Sequence, residues 1–203
     1  MNHQKLPLSF YQSDNVVQIA KNLLSKYLVT NINDEGITSG MIVETEAYAG
    51  AIDKASHAYG NRKTERTKVM YNEGGVAYIY FIYGFHYLFN VITNQGEIPH
   101  AVLIRAIEPA EGIDLMLKRR KMEKPERRLT AGPGVLSKAL GITTEQNGIS
   151  LLDDTIWIED RGIYIREENI IQSPRVNVNY AGEDALLPYR FRVKDSTWTS
   201  KAA

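Results

Sequence analysis

The chain has 203 residues and no cysteine, which excludes disulfide cross-links and cysteine-ligated metal sites. Its length suits one domain with a sizeable core, and its apolar fraction of 43% is that of a globular protein. No apolar run approaches the roughly 20 residues needed to cross a bilayer, and the first residues lack the layout of a secretory signal. We therefore expect a cytoplasmic protein without a membrane partner.

The charges balance but are unevenly distributed. With 24 basic and 24 acidic residues the net charge is zero, which argues mildly against a nucleic-acid binder. Basic residues nevertheless cluster at 62–68 and again at 118–128. These runs indicate either a polarised surface or ordinary solvated faces, and the sequence leaves both interpretations open.

The first predicted elements are a helix and a strand. Ser13 is a suitable N-cap for a helix in which apolar residues recur at helical spacing. Residues 27–31 have the pattern of a strand, and the polar residues 33–36 predict a turn that leads into the next strand.

That next strand, residues 42–48, carries the strongest local hint of chemistry. Its strict alternation predicts that Glu44, Glu46 and Tyr48 share one face, with Val43, Thr45 and Ala47 on the other. Two carboxylates and a tyrosine on one face indicate a functional site or the solvated face of an antiparallel sheet. The pattern alone does not separate the two.

The remaining elements are shorter. A polar loop covers 49–63, Thr64 is a candidate cap for a helix ending near Tyr71, and 72–75 form a turn. Residues 76–93 predict a β-hairpin with Gly84 near its turn. A strand at 101–106 leads to a helix at 112–121, and a second helix begins at 131–134 and ends at Gly141. Further strands are predicted at 156–159, 163–166, 175–178 and 189–193.

The hairpin is unusually aromatic. Tyr78 and Tyr80 share one face by alternation, and Tyr83 lies at the bend. Aromatic residues in strands usually belong to the core. A tyrosine beside a tight turn is harder to bury, however, and tyrosines near basic residues are typical of sites that stack an unpaired base.

Several motifs, in order, resemble one enzyme family. They are Ile42-Val-Glu-Thr-Glu-Ala-Tyr48, Ala55-Ser-His57, Tyr78-Ile-Tyr-Phe-Ile-Tyr-Gly84, Val102-Leu-Ile-Arg-Ala-Ile-Glu-Pro109, Leu129-Thr-Ala-Gly-Pro-Gly134, Pro174-Arg-Val176, Tyr180-Ala-Gly182, Tyr189-Arg-Phe191 and Trp198. Together they resemble the alkyladenine (3-methyladenine) DNA glycosylases. The match runs from about Gln18 to Trp198, and several motifs in order are far more specific than any one of them.

The resemblance implies three residues that act on the duplex and the sugar. Glu46 matches the general base, which activates water and offsets the charge of an oxocarbenium-like sugar. Arg105 matches an arginine that holds this carboxylate and the attacking water. Tyr83 matches the intercalating residue, which fills the gap left when the damaged nucleotide is flipped out.

The resemblance also implies a base pocket. Tyr48, His57 and Tyr80 match the residues that line it, and an electron-rich ring face favours a positively charged alkylated purine. Asn90 matches a residue that crowds or contacts the purine edge. The alternative role of Asn90 is a hydrogen bond to the backbone. The alternative role of Arg105 is an ordinary buried ion pair.

Other residues have weaker assignments. Glu44 is expected to be a structural partner of a basic side chain. Candidate phosphate contacts are Arg62, Arg66, Gly132 and Gly134. The four histidines have no ligand spacing, so we expect no metal and no cofactor. No lysine occupies a matched catalytic position, which favours a monofunctional enzyme over a Schiff-base lyase.

The sequence therefore predicts one mixed α/β (α+β) domain over 1–203, with loosely ordered ends at 1–12 and 199–203. We expect a curved antiparallel β-sheet surrounded by helices, with a protruding hairpin. The predicted activity is hydrolytic release of alkylated purines from double-stranded DNA, leaving an abasic site. The expected substrate is 3-methyladenine, with 7-methylguanine and hypoxanthine as further candidates. We expect a monomer, nucleoid-associated if bacterial.

Two alternatives stay open. One is a non-enzymatic protein that binds DNA lesions and uses the aromatic hairpin only for recognition. The other is a glycosidase or nucleosidase that acts on small molecules through the two glutamates.

Overall fold

The computed structural model describes residues 3–201. Nine strands form one sheet: β1 Gln4–Lys5, β2 Tyr27–Thr30, β3 Thr38–Tyr48, β4 Val76–Ile82, β5 His86–Thr93, β6 His100–Glu111, β7 Ile156–Asp160, β8 Ile170–Ser173 and β9 Arg190–Val193. The main path runs β1-β7-β2-β3-β6-β5-β4, and β9 joins it beside β3 and carries β8. Every pairing is antiparallel. The result is a curled half-barrel within a single mixed α/β domain, as predicted.

Four α-helices pack around the sheet: α1 Leu8–Tyr11, α2 Val16–Asn22, α3 Ile113–Arg120 and α4 Pro133–Leu140. Short 3₁₀ segments fill the connections, at Gly50–Ile52, Tyr59–Asn61, Lys68–Tyr71, Arg127–Leu129, Thr144–Gln146, Glu167–Asn169 and Asn179–Leu186. The core lies between the sheet and α2 and α4, where Ile19, Leu23, Leu136 and Leu140 are buried against strand residues.

The centre of the fold is the pair β3 and β6, whose register shifts three times, two of these beside Glu44. Glu44 pairs with Ala106, but Ile42 pairs with Ile107 and Thr45 with Ile104. Val43 is therefore the extra residue on β3, and Arg105 is the extra residue on β6. Such bulges bend a strand and re-aim its side chains. Residues 38–41 of β3 pair with β2, whereas residues 44–46 pair with β9. Glu44 lies opposite Arg192 and Glu46 opposite Arg190.

Several boundaries differ from the prediction. Asn15, not Ser13, caps α2, because its side chain accepts the Gln18 N–H at 3.0 Å. The helix predicted from Thr64 is a 3₁₀ turn that begins at Lys68. No strand forms at 163–166 or 175–178, where the chain has no neighbouring strand to pair with. A strand that was not predicted, β8, pairs with β9.

The predicted hairpin, the helix of residues 112–121 and the helix ended by Gly141 are confirmed. Two residues near the ends contact the core: Tyr11 is fully buried, and the Ser200 N–H donates to Glu44 at 2.6 Å. Loose order of the ends 1–12 and 199–203 stays a prediction. Residues 1–2 and 202–203 of the predicted loose ends lie outside the described residues.

Candidate active site

Glu46 is fully buried, and its carboxylate contacts three polar groups. The Tyr48 hydroxyl donates to its Oε2 at 2.8 Å, and the Val176 N–H donates to Oε1 at 2.8 Å. The Arg105 guanidinium lies 3.2 Å from Oε1 through Nη1. Because both glutamates of β3 are buried and neither lies on an exposed face, the solvated-face interpretation of this strand is wrong. The predicted faces are confirmed, since Thr45 points the other way and donates to Ala20 in α2.

Glu44 is bound by two arginines on neighbouring strands. Arg105 Nε and Arg190 Nε each donate to its Oε1 at 2.8 Å. Burial opposes ionisation of Glu44, but Arg105, the Ser200 amide and Arg190 outweigh it and hold its pKa below the usual range. Burial likewise opposes the charge on Arg105, and Glu46 and Glu44 together raise the pKa of Arg105. The expected basic partner of Glu44 and the expected acidic neighbour of Arg105 are thus both present.

Aromatic rings stand beside this ionic centre. His57 meets the ring of Tyr80 edge-on with centroids 4.7 Å apart, and its Nδ1 lies 3.0 Å from the Tyr78 hydroxyl. Burial, together with Arg66 and Arg62, lowers the pKa of His57 to about 4. Burial also raises the pKa values of Tyr48 and Tyr80. At neutral pH these rings are therefore uncharged, as a stacking surface requires.

One cavity of about 1150 Å³ joins these groups. Its lining includes ten of the eleven residues that the sequence assigned to catalysis, base binding, intercalation or phosphate contact: Glu46, Tyr48, His57, Arg62, Arg66, Tyr80, Tyr83, Arg105, Gly132 and Gly134. The volume exceeds that of a purine and leaves room for part of a nucleic-acid backbone. Residues spread over most of the chain thus meet at one opening.

Asn90 is the residue that the cavity does not include. It is almost completely buried, and its side-chain amide donates to the backbone carbonyl of Tyr78 at 3.1 Å, across the hairpin. This is the backbone bond described above as its alternative role. Contact with a purine stays a prediction.

Tyr83 projects from the tip of the hairpin. The residue is 69% exposed, and it adopts a left-handed backbone conformation with φ of 57°, followed by Gly84 with φ of 77°. Phe81 and Phe85 on either side are also exposed. Exposed aromatic side chains at the edge of a deep cavity suit contact with a stacked partner.

Comparison with known proteins identifies the family. A model of the family described as methylpurine-DNA glycosylase (MPG) matches residues 9–197. A protein of Chlamydia felis named "Putative 3-methyladenine DNA glycosylase" is 50% identical over 92% of this chain and 94% of its own length. Proteins of the same name from Clostridium novyi and Bacillus cytotoxicus are 42% and 45% identical over at least 97% of both chains.

The chain belongs to the methylpurine-DNA glycosylase family. It is a DNA N-glycosylase and an enzyme of DNA repair, and its substrate is DNA. This membership decides against the non-enzymatic lesion-binding protein and against a glycosidase of small molecules. No helix within residues 3–201 is both long and apolar enough to span a membrane.

The cavity of this glycosylase is basic although the whole chain is neutral. Five basic residues line it, Lys54, Arg62, Arg66, Arg105 and Lys201, against the single carboxylate of Glu46. The second basic run is largely committed to the protein itself. Arg119 pairs with Glu35, Arg120 donates to backbone carbonyls, and Arg127 donates to the Thr199 carbonyl. In the part of the chain that the structure describes, no group of three or more metal-binding side chains is placed to share an ion.

The sequence assigned no role to several residues that build the glycosylase site. Arg175 is buried beneath the ring of Tyr48, 4.8 Å from its centroid, and forms a two-point ion pair with buried Asp53. The next residue, Val176, donates its N–H to Glu46. Arg190 and Ser200 bind Glu44. Arg175 and Arg190 lie within motifs that resemble the family, and that was the signal available for them. Ser200 lies beyond those motifs.

Proposed function

We propose that the enzyme flips an alkylated purine out of duplex DNA into the aromatic cavity and hydrolyses its N-glycosidic bond at Glu46. The observation that carries this proposal is the buried Glu46–Arg105 pair, which shares one cavity with Tyr48, His57 and Tyr80. A carboxylate at the bottom of a pocket lined by uncharged rings suits a reaction that builds positive charge on a sugar.

Glu46 acts as the general base. One of its oxygens accepts the Val176 N–H and the other accepts the Tyr48 hydroxyl, so the carboxylate is fixed in orientation. A carboxylate has about four lone-pair positions, which leaves room for one water. Arg105 helps to hold both the carboxylate and that water, which attacks the anomeric carbon as its proton passes to Glu46. The products are the free base and an abasic site.

The pocket recognises the base through its rings. Tyr48, His57 and Tyr80 offer uncharged aromatic faces, and such faces bind a cationic purine more strongly than a neutral one. 3-Methyladenine is the preferred substrate of the proposal, in agreement with the names of the relatives. 7-Methylguanine and hypoxanthine are further candidate substrates. Asn90 is the residue proposed to crowd or contact the edge of the purine.

Tyr83 fills the gap in the duplex, while the basic rim holds the strand. The exposed ring at the hairpin tip replaces the stacking that is lost when a nucleotide leaves the helix. Arg62 and Arg66 are the proposed phosphate contacts, together with the backbone around Gly132 and Gly134 at the start of α4.

The products of reaction with defined duplexes test the function. Each duplex carries one 3-methyladenine, 7-methylguanine or hypoxanthine, and both the free base and the strand are analysed. We expect release of 3-methyladenine and a strand that stays intact until alkali treatment. Absence of base release from all three duplexes would contradict the proposal.

The strand analysis also tests whether the enzyme is monofunctional, because two exposed lysines, Lys54 and Lys201, line the cavity. A Schiff base between a lysine and the abasic sugar is trapped by borohydride as a covalent protein–DNA adduct. We expect no adduct. An adduct would show that a lysine attacks the sugar and that the enzyme is a lyase.

A further inference from the structure

The two oxygens of Glu44 are bound unequally. Oε1 accepts from Arg105 Nε, from Arg190 Nε and from the Ser200 hydroxyl at 2.8 to 2.9 Å. Oε2 accepts one donor among the described residues, the backbone N–H of Ser200, at 2.6 Å. Because Glu44 has no exposed surface, this single amide satisfies an oxygen that bulk water does not reach.

Arg105 binds Glu44 at one point rather than two. A guanidinium presents two parallel N–H groups along one edge, and a free carboxylate accepts both. Here the Nε–H of Arg105 donates to Oε1 of Glu44, while Nη2 of Arg105 lies 3.5 Å from the Ser200 hydroxyl. Ser200 thus occupies Oε2 with its amide and lies beside Nη2 with its side chain. The opposite edge of the guanidinium, at Nη1, is left beside Glu46.

We propose that Ser200 is a positioning residue for base release: its backbone N–H keeps Arg105 from pairing side-on with Glu44 and so directs Nη1 to Glu46. This inference rests on the roles proposed above for Glu46 and Arg105. The segment that carries Ser200 follows β9 and is fixed to the fold by Arg127, whose Nε donates to the Thr199 carbonyl at 2.7 Å. Ser200 lies outside residues 9–197, which the family model matches.

Loss of the amide has a consequence for Glu46. With Oε2 free, Arg105 rotates toward two-point pairing with Glu44, and Glu46 loses its nearest cation. The other groups that face Glu46 stay in place: the Val176 N–H, Arg175, and the hydroxyls of Tyr48, Tyr80 and Tyr180. Glu46 and the attacking water then lose the cation that orients them, so base release slows.

The test compares Ser200→Pro with Ser200→Ala under single-turnover conditions on 3-methyladenine DNA. Proline removes the N–H, whereas alanine keeps it and removes only the hydroxyl. We expect proline to slow base release by about 10- to 100-fold, because misplacing a catalytic group costs rate. DNA binding changes less than about twofold, so the loss falls on the rate constant of base release and not on the affinity for DNA. Alanine slows the reaction less than about threefold.

A second variant isolates the N–H if the proline variant does not fold. Serine at 200 is replaced by its α-hydroxy analogue, which converts the peptide N–H into an ester oxygen and leaves the side chain intact. The same slowing of base release, with DNA binding changed less than about twofold, supports the inference. A wild-type rate of base release in the ester variant overturns it, and so does an alanine variant as impaired as proline.

Two reference proteins separate failure of this inference from failure of the proposed function. Wild type that releases no base, or Glu46→Gln that releases it at the wild-type rate, overturns the proposed function itself. The other result is that wild type is active and Glu46→Gln is inactive, while both variants that lack the Ser200 N–H release base as wild type does. This result overturns only the role of Ser200.

Discussion

Tyr83 adopts a backbone conformation that a tyrosine rarely adopts, since its φ of 57° lies in the left-handed region. A bulky residue there costs of order 1 kcal/mol, whereas asparagine tolerates this region well. The side chain is exposed and contributes little to the core. Tyr83 thus has a steric cost at a place where the fold gains little from its ring.

Stability and activity should therefore separate at Tyr83. We expect Tyr83→Asn to fold with unchanged or higher stability, by up to about 1 kcal/mol, because the left-handed backbone is relieved. Base release from duplex DNA should fall at least about tenfold, since no ring fills the vacated stack. Urea unfolding and single-turnover base release measure the two effects. A variant that loses stability and keeps its activity would contradict the intercalating role.

His57 gives a prediction about pH. Its folded pKa of about 4 lies below the ordinary 6.5, because burial and the two arginines Arg66 and Arg62 disfavour its charged form. Folding therefore favours the neutral ring. The stability that depends on it is complete above pH 6.5 and is lost as the pH falls toward 4, by at most about 3 kcal/mol. NMR titration of the free protein should give a midpoint near 4. A midpoint near 6.5 would show that His57 is solvated.

The element scale explains why Arg105 meets both glutamates. The alternating pattern of residues 42–48 predicted the shared face of Glu44, Glu46 and Tyr48 correctly. It did not predict the two register shifts beside Glu44, the second of which leaves Arg105 as the extra residue on β6. Bulges depend on how two strands pair across long sequence separations, so one strand's periodicity does not show them.

The same limit explains the loop residues. The polar loop at 49–63 was predicted as a loop, but nothing local shows that Asp53 pairs with Arg175, which is 122 residues away. Asp53 also accepts the N–H groups of Ala49 and Ala55, so the pair holds the loop against Tyr48. The pattern of residues 175–178 was interpreted as a strand, whereas Arg175 is an anchor whose side chain is buried.

The Asp53–Arg175 pair gives a prediction at this scale. Arg175→Met leaves a buried carboxylate without its partner, so we expect a loss of about 3–5 kcal/mol in the free energy of unfolding. Asp53→Asn combined with Arg175→Met removes both charges and should recover most of that loss. Urea denaturation of the two single variants and the double variant gives the coupling energy. Additive losses would show that the two side chains act independently.

For the whole molecule, the sum of charges is a poor guide to function. The zero net charge argued mildly against a nucleic-acid binder, yet five basic side chains surround the cavity with one carboxylate. The fold brings Lys54, Arg62 and Arg66, which are close in sequence, together with Lys201 near the other end of the chain. Composition does not contain this arrangement, because it arises only when the sheet curls.

Salt dependence measures the contribution of the rim. Each phosphate contact releases counterions, so the logarithm of the DNA affinity falls with the logarithm of salt by about 0.9 per contact. We expect Arg62→Gln and Arg66→Gln each to reduce that slope by about 0.9 on undamaged duplex. Lys194→Gln, an exposed site outside the cavity lining, serves as the matched control and should keep the wild-type slope. Equal slopes in all three variants would show that the two arginines do not contact phosphate.

The most direct measurement is single-turnover release of 3-methyladenine from duplex DNA by wild type, Glu46→Gln and the control Glu168→Gln. Glutamine keeps the size of the buried side chain and cannot take the proton from water. We expect Glu46→Gln to bind lesion DNA but to release base at least about 100-fold more slowly, within the 10²–10⁴-fold range of a general base. Glu168, an exposed residue that pairs with Arg166, should tolerate the same change. Undiminished base release by Glu46→Gln would contradict the proposed mechanism.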